Sequence, residues 1–141
     1  MKDSIVMTRC ISFTLSEKQK TEIELRLREI FEVKKSFIQP QYSLSDLSNE
    51  TGFSRNLLSA FFNQTLGFHF NNYINLLRIT YCKHLILNGY ASQFTLEGLS
   101  KKCGFYNRNT FISAFKKFTG VNPSYYLKQH ILINKHMLVN N

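Results

Sequence analysis

Two stretches of the chain place short polar, cationic and small side chains at the spacing of one helical face. The first set is Asn56, Ser59, Ala60 and Asn63, and the second is Arg108, Asn109, Ile112 and Ser113. Asparagine can bond adenine through two hydrogen bonds and arginine can bond guanine in the same way, while serine bonds either base type and an alanine methyl contacts thymine. These residues could therefore recognise base edges of a duplex, and the alternative for the asparagines is that they cap helices or face water. Ala60 and Ile112 could equally be packing residues.

The residues needed for catalysis are scarce. Glu97 is the only carboxylate residue after Glu50, and the four histidines, His69, His84, His130 and His136, form no HExxH or other ligand spacing. Cys82 and Cys103 fall on apolar helical faces, where cysteine is usually a small core residue. The sequence predicts a protein that is not an enzyme and has no cofactor and no metal.

The positive charge is concentrated in one part of the chain. Residues 1–50 carry eight Lys or Arg and eight Asp or Glu, whereas the rest carries ten basic residues and one acid, giving the net charge of +9. Such a surface suits a polyanion, because Lys and Arg displace counterions from a phosphate backbone. A solvated basic surface kept for solubility is the alternative.

Helical periodicity and capping residues divide the chain into segments. Residues 1–15 have no clear period and form a loose N-terminal arm, and residues 16–39 form an amphipathic helix with a capping box at Ser16. Two units are expected at residues 40–69 and 89–133, each a short helix, a glycine turn and a second helix. The expected helix caps are Ser43, with Asp46 in a short capping box, Ser54 and Thr95. The second helices are expected to bury Leu58, Phe61, Phe62 and Leu66 in the first unit and Phe111, Ala114, Phe115 and Phe118 in the second. Residues 70–88 form the linker helix between the two units, and residues 134–141 are a C-terminal tail. The second unit includes a closing helix from Pro123 to about Ile133.

The two units are an internal repeat. Thr51-Gly52-Phe53 recurs as Cys103-Gly104-Phe105, and Phe62 to Gly67 recurs as Phe115 to Gly120, with one extra residue in the second turn. A short helix, a glycine-containing turn and a second helix with a buried stripe form a helix-turn-helix, whose second helix can enter a major groove. Two copies on the basic part of the chain are stronger evidence than one.

From Leu44 to Tyr126 the sequence resembles the C-terminal DNA-binding domain of AraC/XylS-type transcription regulators. The matching motifs are Leu47-Ser48, Gly52-Phe53-Ser54, Leu58, Phe62 and Gly67, then Tyr73-Ile74-Asn75 and Leu77-Arg78-Ile79, then Gly104-Phe105, Phe111, Phe115-Lys116-Lys117, Gly120-Val121, Pro123 and Tyr126. The resemblance implies an all-α fold of two homeodomain-like helix-turn-helix subdomains joined by a long linker helix. Ser48 and Ser100, where the family usually packs alanine, and Leu127, where arginine is frequent, depart from the pattern.

The resemblance also implies a function and its partners. It predicts a bacterial regulator, with activation of transcription beside RNA polymerase as the expected role, that inserts two recognition helices into successive major-groove segments of promoter DNA. The base-reading positions are the two sets given above, and the backbone contacts are expected from Arg55, Lys101, Lys102, Lys116 and Lys117. A homodimer through the N-terminal helix or an upstream region is possible on this pattern, and the chain is either a stand-alone regulator or a fragment.

Other interpretations stay open at this point. A protein-interaction module with incidental positive charge would bind without salt dependence or sequence preference, and RNA binding is weaker because the phenylalanines fall on buried stripes. The apolar C-terminal stretch closes the second core, or forms a dimer or membrane-surface contact. An odd number of cysteines, no apolar leader and no membrane-length run predict a cytoplasmic protein with no membrane association.

Overall fold

The computed structural model describes residues 14–139, and over this range it is helical with no strand, as the sequence predicted. The α-helices are α1 (Glu17–Arg28), α2 (Leu44–Thr51), α3 (Arg55–Phe61), α4 (Phe70–Leu87), α5 (Leu96–Lys102), α6 (Arg108–Thr119) and α7 (Pro123–Val139). Turns of π-helix extend α1 over Glu29–Lys34 and α3 over Phe62–Leu66, and short 3₁₀ helices span Ser36–Ile38 and Tyr90–Gln93. Within residues 14–139, no helix combines the length and apolarity needed to cross a bilayer.

The chain divides into two compact units. The described part of unit 1 comprises residues 14–36 and Tyr42–Tyr73, and that of unit 2 comprises Phe37–Gln41 and residues 74–139. Helix α4 begins in unit 1 and continues into unit 2. Each unit contains one short-helix, glycine, second-helix hairpin, as the repeat predicted, and the five-residue segment Phe37–Gln41 belongs to unit 2 although its neighbours on both sides belong to unit 1.

Phenylalanine rings form the centre of unit 1. Phe62 is fully buried, and its ring centroid lies 5.4 Å from that of Phe70 and 5.3 Å from that of Tyr73. Ile23 and Ile30 from the N-terminal helix are also fully buried in this unit. Burial of side chains of this size stabilises the fold by about 1.5–3 kcal/mol each, so the first helical segment is part of the core of unit 1.

Glu50, on α2, accepts hydrogen bonds from three residues of unit 1. Glu50 accepts hydrogen bonds from the hydroxyls of Ser36 at 2.9 Å and Tyr42 at 2.7 Å, and its main-chain carbonyl accepts one from the Arg26 guanidinium at 3.1 Å. Burial and the hydrogen bond to this carboxylate raise the pKa of the Tyr42 hydroxyl well above its usual range. The Arg26 bond to the Glu50 carbonyl therefore ties α1 to the first hairpin.

Unit 2 has its own apolar centre. Leu99, Phe111 and Phe115 are almost fully buried, and the Phe115 ring centroid lies 5.3 Å from that of Tyr126 on α7, which brings the closing helix onto the hairpin. Cys82 and Cys103 are both buried in this cluster, and their mutual hydrogen bond together with burial raises the pKa of the Cys103 thiol. Both cysteines are core residues, as their apolar positions predicted.

The segment Phe37–Gln41 is held to unit 2 by a buried cation. The Arg78 guanidinium, on α4, donates to the carbonyls of Phe37 at 2.7 Å and Gln39 at 3.0 Å, and it lies 5.6 Å from the centroid of the Phe105 ring. Burial lowers the pKa of Arg78. This residue was counted with the charges expected to meet a polyanion; the structure instead commits it to main-chain carbonyls inside the protein.

Replacement of this guanidinium should destabilise the protein without disturbing its surface. In Arg78→Met the Phe37 carbonyl, in a buried hydrogen bond, and the Gln39 carbonyl, in a part-buried one, lose their donor. We therefore expect a loss of about 2 kcal/mol in the free energy of unfolding. Lys83→Met, which removes a half-buried cation from the same helix, is the control and should change stability by less than about 0.5 kcal/mol. Urea unfolding followed by circular dichroism measures both; equal midpoints would show that the Arg78 hydrogen bonds are not needed.

Several boundaries differ from those expected from the sequence. The first helix gives way to a π-helical turn at Glu29 and ends at Lys34, where Lys35 adopts a positive φ of 52°, so the chain leaves the helix before Pro40. At the other end, α7 continues past Ile133 to Val139, through residues expected to be a tail. Residues 1–13 of the expected N-terminal arm lie outside the described range.

Candidate nucleic-acid interface

The first hairpin is built on two serine caps and one glycine. The Ser43 hydroxyl accepts from the Asp46 amide at 3.1 Å while the Asp46 carboxylate accepts from the Ser43 amide at 2.8 Å, which forms the expected capping box. This hydrogen bonding lowers the pKa of Asp46. Gly52 ends α2 at a φ of 79°, and Ser54 caps α3 by accepting from the Leu57 amide at 3.1 Å. All three features were predicted from the sequence and are confirmed.

Ser48 braces the turn between α2 and α3. Its hydroxyl donates to the Phe53 carbonyl at 2.7 Å, and so it satisfies a turn carbonyl that an alanine could not. The Arg55 guanidinium donates to the Ser45 hydroxyl at 3.3 Å, from the first residue of α3 back to α2. The serine at position 48 therefore has a structural reason, and the departure from the family pattern costs no buried hydrogen bond.

Helix α3 separates a buried stripe from a polar face. Leu58, Phe61 and Phe62 are buried as predicted, while Leu66 is half-buried. On the other side lie the positions expected to contact DNA: Arg55, Asn56 and Asn63 are exposed, and Ser59 and Ala60 are half-buried. The Asn63 amide donates to the Ser59 hydroxyl at 3.4 Å, one helical turn away. The structure thus brings all five together on one face of unit 1.

The second hairpin also has a cap on each helix and a glycine in the turn, but its second helix is capped by a carboxamide instead of a hydroxyl. Thr95 caps α5 by accepting from the Gly98 amide at 3.0 Å, and Gly104 makes the turn at a φ of 99°. The residue that caps α6 is Asn107, whose carboxamide oxygen accepts from the Asn109 amide at 2.7 Å. The Asn107 cap was not predicted from the sequence, although an asparagine directly before a helix is a strong capping signal.

Helix α6 presents the second polar face. Phe111, Ala114 and Phe115 are buried as predicted, and Phe118 is half-buried. Of the expected base-reading residues, Arg108, Asn109 and Ser113 are exposed, whereas Ile112 is half-buried and packs against the unit 2 core. Thr110, in the first turn of α6, is also exposed and was not predicted from the sequence as a contact residue.

The four lysines expected at the phosphate backbone are all exposed in unit 2. Lys101 pairs with Glu97 at 3.6 Å, an ion pair whose two side chains are two-thirds exposed, so it restrains the lysine only weakly. The Lys117 ammonium lies 5.6 Å from the centroid of the Phe118 ring. Ser100, buried behind them, donates to the Glu97 carbonyl at 2.9 Å and so keeps its hydroxyl satisfied.

The charges divide unequally between the units. The described part of unit 1 carries seven Lys or Arg and seven Asp or Glu, while unit 2 carries nine Lys or Arg and one acid. Arg78 is buried, while Lys83 is half-buried and six cations of unit 2 are exposed: Lys101, Lys102, Arg108, Lys116, Lys117 and Lys128. Among residues 14–139 no three or more His, Cys, Asp or Glu side chains gather into a possible metal site.

Comparison with protein families and curated sequences places these features in context. The family model described as a helix-turn-helix domain matches residues 25–129. The HTH-type transcriptional regulator YijO of Escherichia coli strain K12 is 33% identical over 110 residues, which cover 74% of this chain and 38% of YijO. The HTH-type transcriptional activator RhaR of the same strain is 26% identical over 87 residues, covering 62% and 30%. The chain therefore spans less than two fifths of the length of these relatives.

Solved structures show the same fold. A Listeria innocua protein of unknown function superposes with a TM-score of 0.64 at 30% identity, over 77% of this chain and 96% of that one. The C-terminal domain of the two-component response regulator yesN from Fusobacterium nucleatum gives a TM-score of 0.60 at 29% identity, over 74% and 95%. Nearly all of each solved chain is covered, so both share the helical fold of this chain.

Proposed function

This chain belongs to the AraC-type helix-turn-helix family of DNA-binding transcription regulators, and from that premise we propose that it recognises a specific duplex sequence with both α3 and α6. Each helix enters a major groove, and the two occupy successive groove segments. The observation that supports this most directly is that each second helix has a polar face, most of it exposed, opposite a stripe of buried apolar side chains.

The proposed contacts follow from the side chains on each face. Asn56 and Asn63 bond adenine edges from α3, and Arg108 bonds guanine from α6, where Asn109 and Ser113 add further base contacts. Ser59 and Ala60 contact bases through a hydroxyl and a methyl, and Ile112 supplies apolar contact from a side chain that is already half-buried. Arg55 and the lysines of unit 2 bond phosphates. Six exposed cations in the described part of unit 2 support this division of roles.

The partners and the regulatory outcome belong to the same proposal. RhaR is named a transcriptional activator, which supports activation through contact with RNA polymerase at the promoter; access to chromosomal DNA places the chain in the cytoplasm. Leu25 and Val33, 61% and 75% exposed on the N-terminal helical segment, offer a homodimer contact. A reporter promoter carrying the bound site tests activation by a rise in expression, and the protein-to-DNA stoichiometry tests the dimer.

Selection of bound sites from a random duplex pool tests the binding function. We expect two enriched blocks about 10 base pairs apart. Arg108→Ala should relax one block and Asn56→Ala the other, each at a cost of about 1–3 kcal/mol against the selected site. Arg28→Ala, an exposed arginine on α1, is the control and should leave both blocks intact. If no sequence is enriched and binding does not depend on salt, the chain is an interaction module instead.

A further inference from the structure

The second hairpin contains a residue that the first one lacks. In unit 1 the order is Gly52, Phe53 and the cap Ser54, whereas in unit 2 it is Gly104, Phe105, Tyr106 and the cap Asn107. Both second helices then begin with Arg-Asn. The extra residue in the repeat is therefore Tyr106, placed between a buried phenylalanine and the capping residue of α6.

The Tyr106 side chain contributes little to the packing of unit 2. Tyr106 is 74% exposed, more than any other aromatic residue in the described range, while Phe105 beside it is 2% exposed. Its hydroxyl has no hydrogen bond to any residue within 14–139, and its ring has no ring partner there. A large aromatic side chain that contributes so little to the core is available to a partner.

The surroundings of Tyr106 indicate which partner atoms it meets. Arg108 and Asn109, directly after its neighbour, are exposed at the start of α6, and the unit carries nine basic residues against one acid. When the first residues of a recognition helix face base edges, the turn before the helix lies toward the sugar-phosphate backbone. Tyrosine hydroxyls are common donors to phosphate oxygens.

We propose that Tyr106 donates a hydrogen bond from its Oη to a phosphate oxygen of the strand beside the base pairs that α6 recognises. This inference rests on the proposed function and adds a contact that only unit 2 can make. Because the donor is neutral, it strengthens binding without releasing a counterion, which separates its effect from that of a lysine.

Tyr106→Phe removes only the hydroxyl from an exposed ring, so the melting temperature should not change. Affinity for the selected duplex and for scrambled DNA should fall by the same factor, roughly tenfold, with an unchanged slope of log affinity against log salt. Tyr125→Phe, an exposed tyrosine in the first turn of α7, should bind both duplexes like the wild-type chain. A titration of the three full-length chains against both duplexes at several salt concentrations measures these quantities.

A scan of single methylphosphonate substitutions through the selected duplex identifies the phosphate. At one position the loss of affinity seen with the wild-type chain should shrink about tenfold in Tyr106→Phe, because the hydrogen bond is already absent. If Tyr106→Phe binds both duplexes normally, or if it changes preference at one base pair only, the phosphate contact is wrong while the proposed function stands. If the wild-type chain binds no duplex DNA, the proposed function and this inference both fail.

Discussion

Gly104→Ala should lower the free energy of unfolding by about 3 kcal/mol or more. Gly104 has a φ of 99°, which costs an L-residue roughly 1–2 kcal/mol. A Cβ at this position would lie 2.7 Å from the Ile38 carbonyl oxygen and 2.8 Å from that of Phe37. These are main-chain atoms, and Arg78 holds the Phe37 and Gln39 carbonyls by hydrogen bonds. The segment cannot shift away without losing them, so overpacking of about 1–3 kcal/mol adds to the strain.

Gly52→Ala is the matched control at the equivalent turn of unit 1. Gly52 also has a positive φ, of 79°, but a Cβ there would meet no atom within 4 Å. The cost should be only the backbone strain, about 1–2 kcal/mol. Urea unfolding curves of the two variants, followed by circular dichroism at 222 nm, measure the difference. Equal midpoints would mean that residues 37–41 do not press on the second turn in solution.

Removal of the four lysines expected at the phosphate backbone should greatly reduce the salt dependence of DNA binding. The variant replaces Lys101, Lys102, Lys116 and Lys117 with glutamine. Each phosphate contact contributes about 0.9 to the slope of log affinity against log salt. We expect the slope to fall by roughly 2–4, with Lys101 contributing least because it pairs with Glu97, and affinity at low salt to fall about a hundredfold or more. Titration of duplex DNA by fluorescence anisotropy at four salt concentrations measures both.

A second quadruple variant separates local contacts from net charge. Glutamine at Lys18, Lys20, Lys34 and Lys35 changes the net charge by the same amount, but these residues lie on the N-terminal segment of unit 1, where acids and bases balance. It should keep most of the slope. If the two variants lose slope equally, the positive charge acts only as a distant field and the four unit 2 lysines contact no phosphate.

Much of the fold was accessible from the sequence because local chemistry specifies it. Ser16, Ser43, Ser54 and Thr95 are caps in the structure as predicted, since each hydroxyl precedes a periodic apolar run and accepts from an amide in the first helical turn. Gly52, Gly67 and Gly120 end helices at positive φ for the reason that makes glycine favourable there. The buried stripes of α3 and α6 followed from spacing alone.

The features that were missed depend on contacts between distant parts of the chain. Arg78 looks like a surface charge on an amphipathic helix, and only the fold shows that its partners are the carbonyls of residues 37 and 39. The π-helical turn at Glu29–Lys34 leaves no local signal in the residue types. Asn107 is an exception, because its signal is local: an asparagine that directly precedes a helix is a common cap.

The candidate DNA-contacting residues were predicted as two helical faces, and the structure gives each face its exposure. Residue spacing alone could not predict these differences in exposure. Arg108, Asn109 and Ser113 are exposed, whereas the Ile112 side chain is half-buried and packs against the unit 2 core. Tyr106 was visible only as an extra residue in the repeat. Its exposure, which makes it a candidate contact, required the three-dimensional position of the turn.

The membership of residues 37–41 in unit 2 sets an order of events during protein synthesis. A ribosome adds about 5–20 residues per second, so Gly104 is made roughly 3–13 seconds after Ile38. Arg78, whose guanidinium donates to the Phe37 and Gln39 carbonyls, is made roughly 2–8 seconds after Ile38. Until then these carbonyls have only water as a partner, and the residues of the first hairpin are made in the same interval. Unit 2 is therefore completed only when residues made later, such as Gly104, pack against residues 37–41. The rate of translation sets the length of this delay.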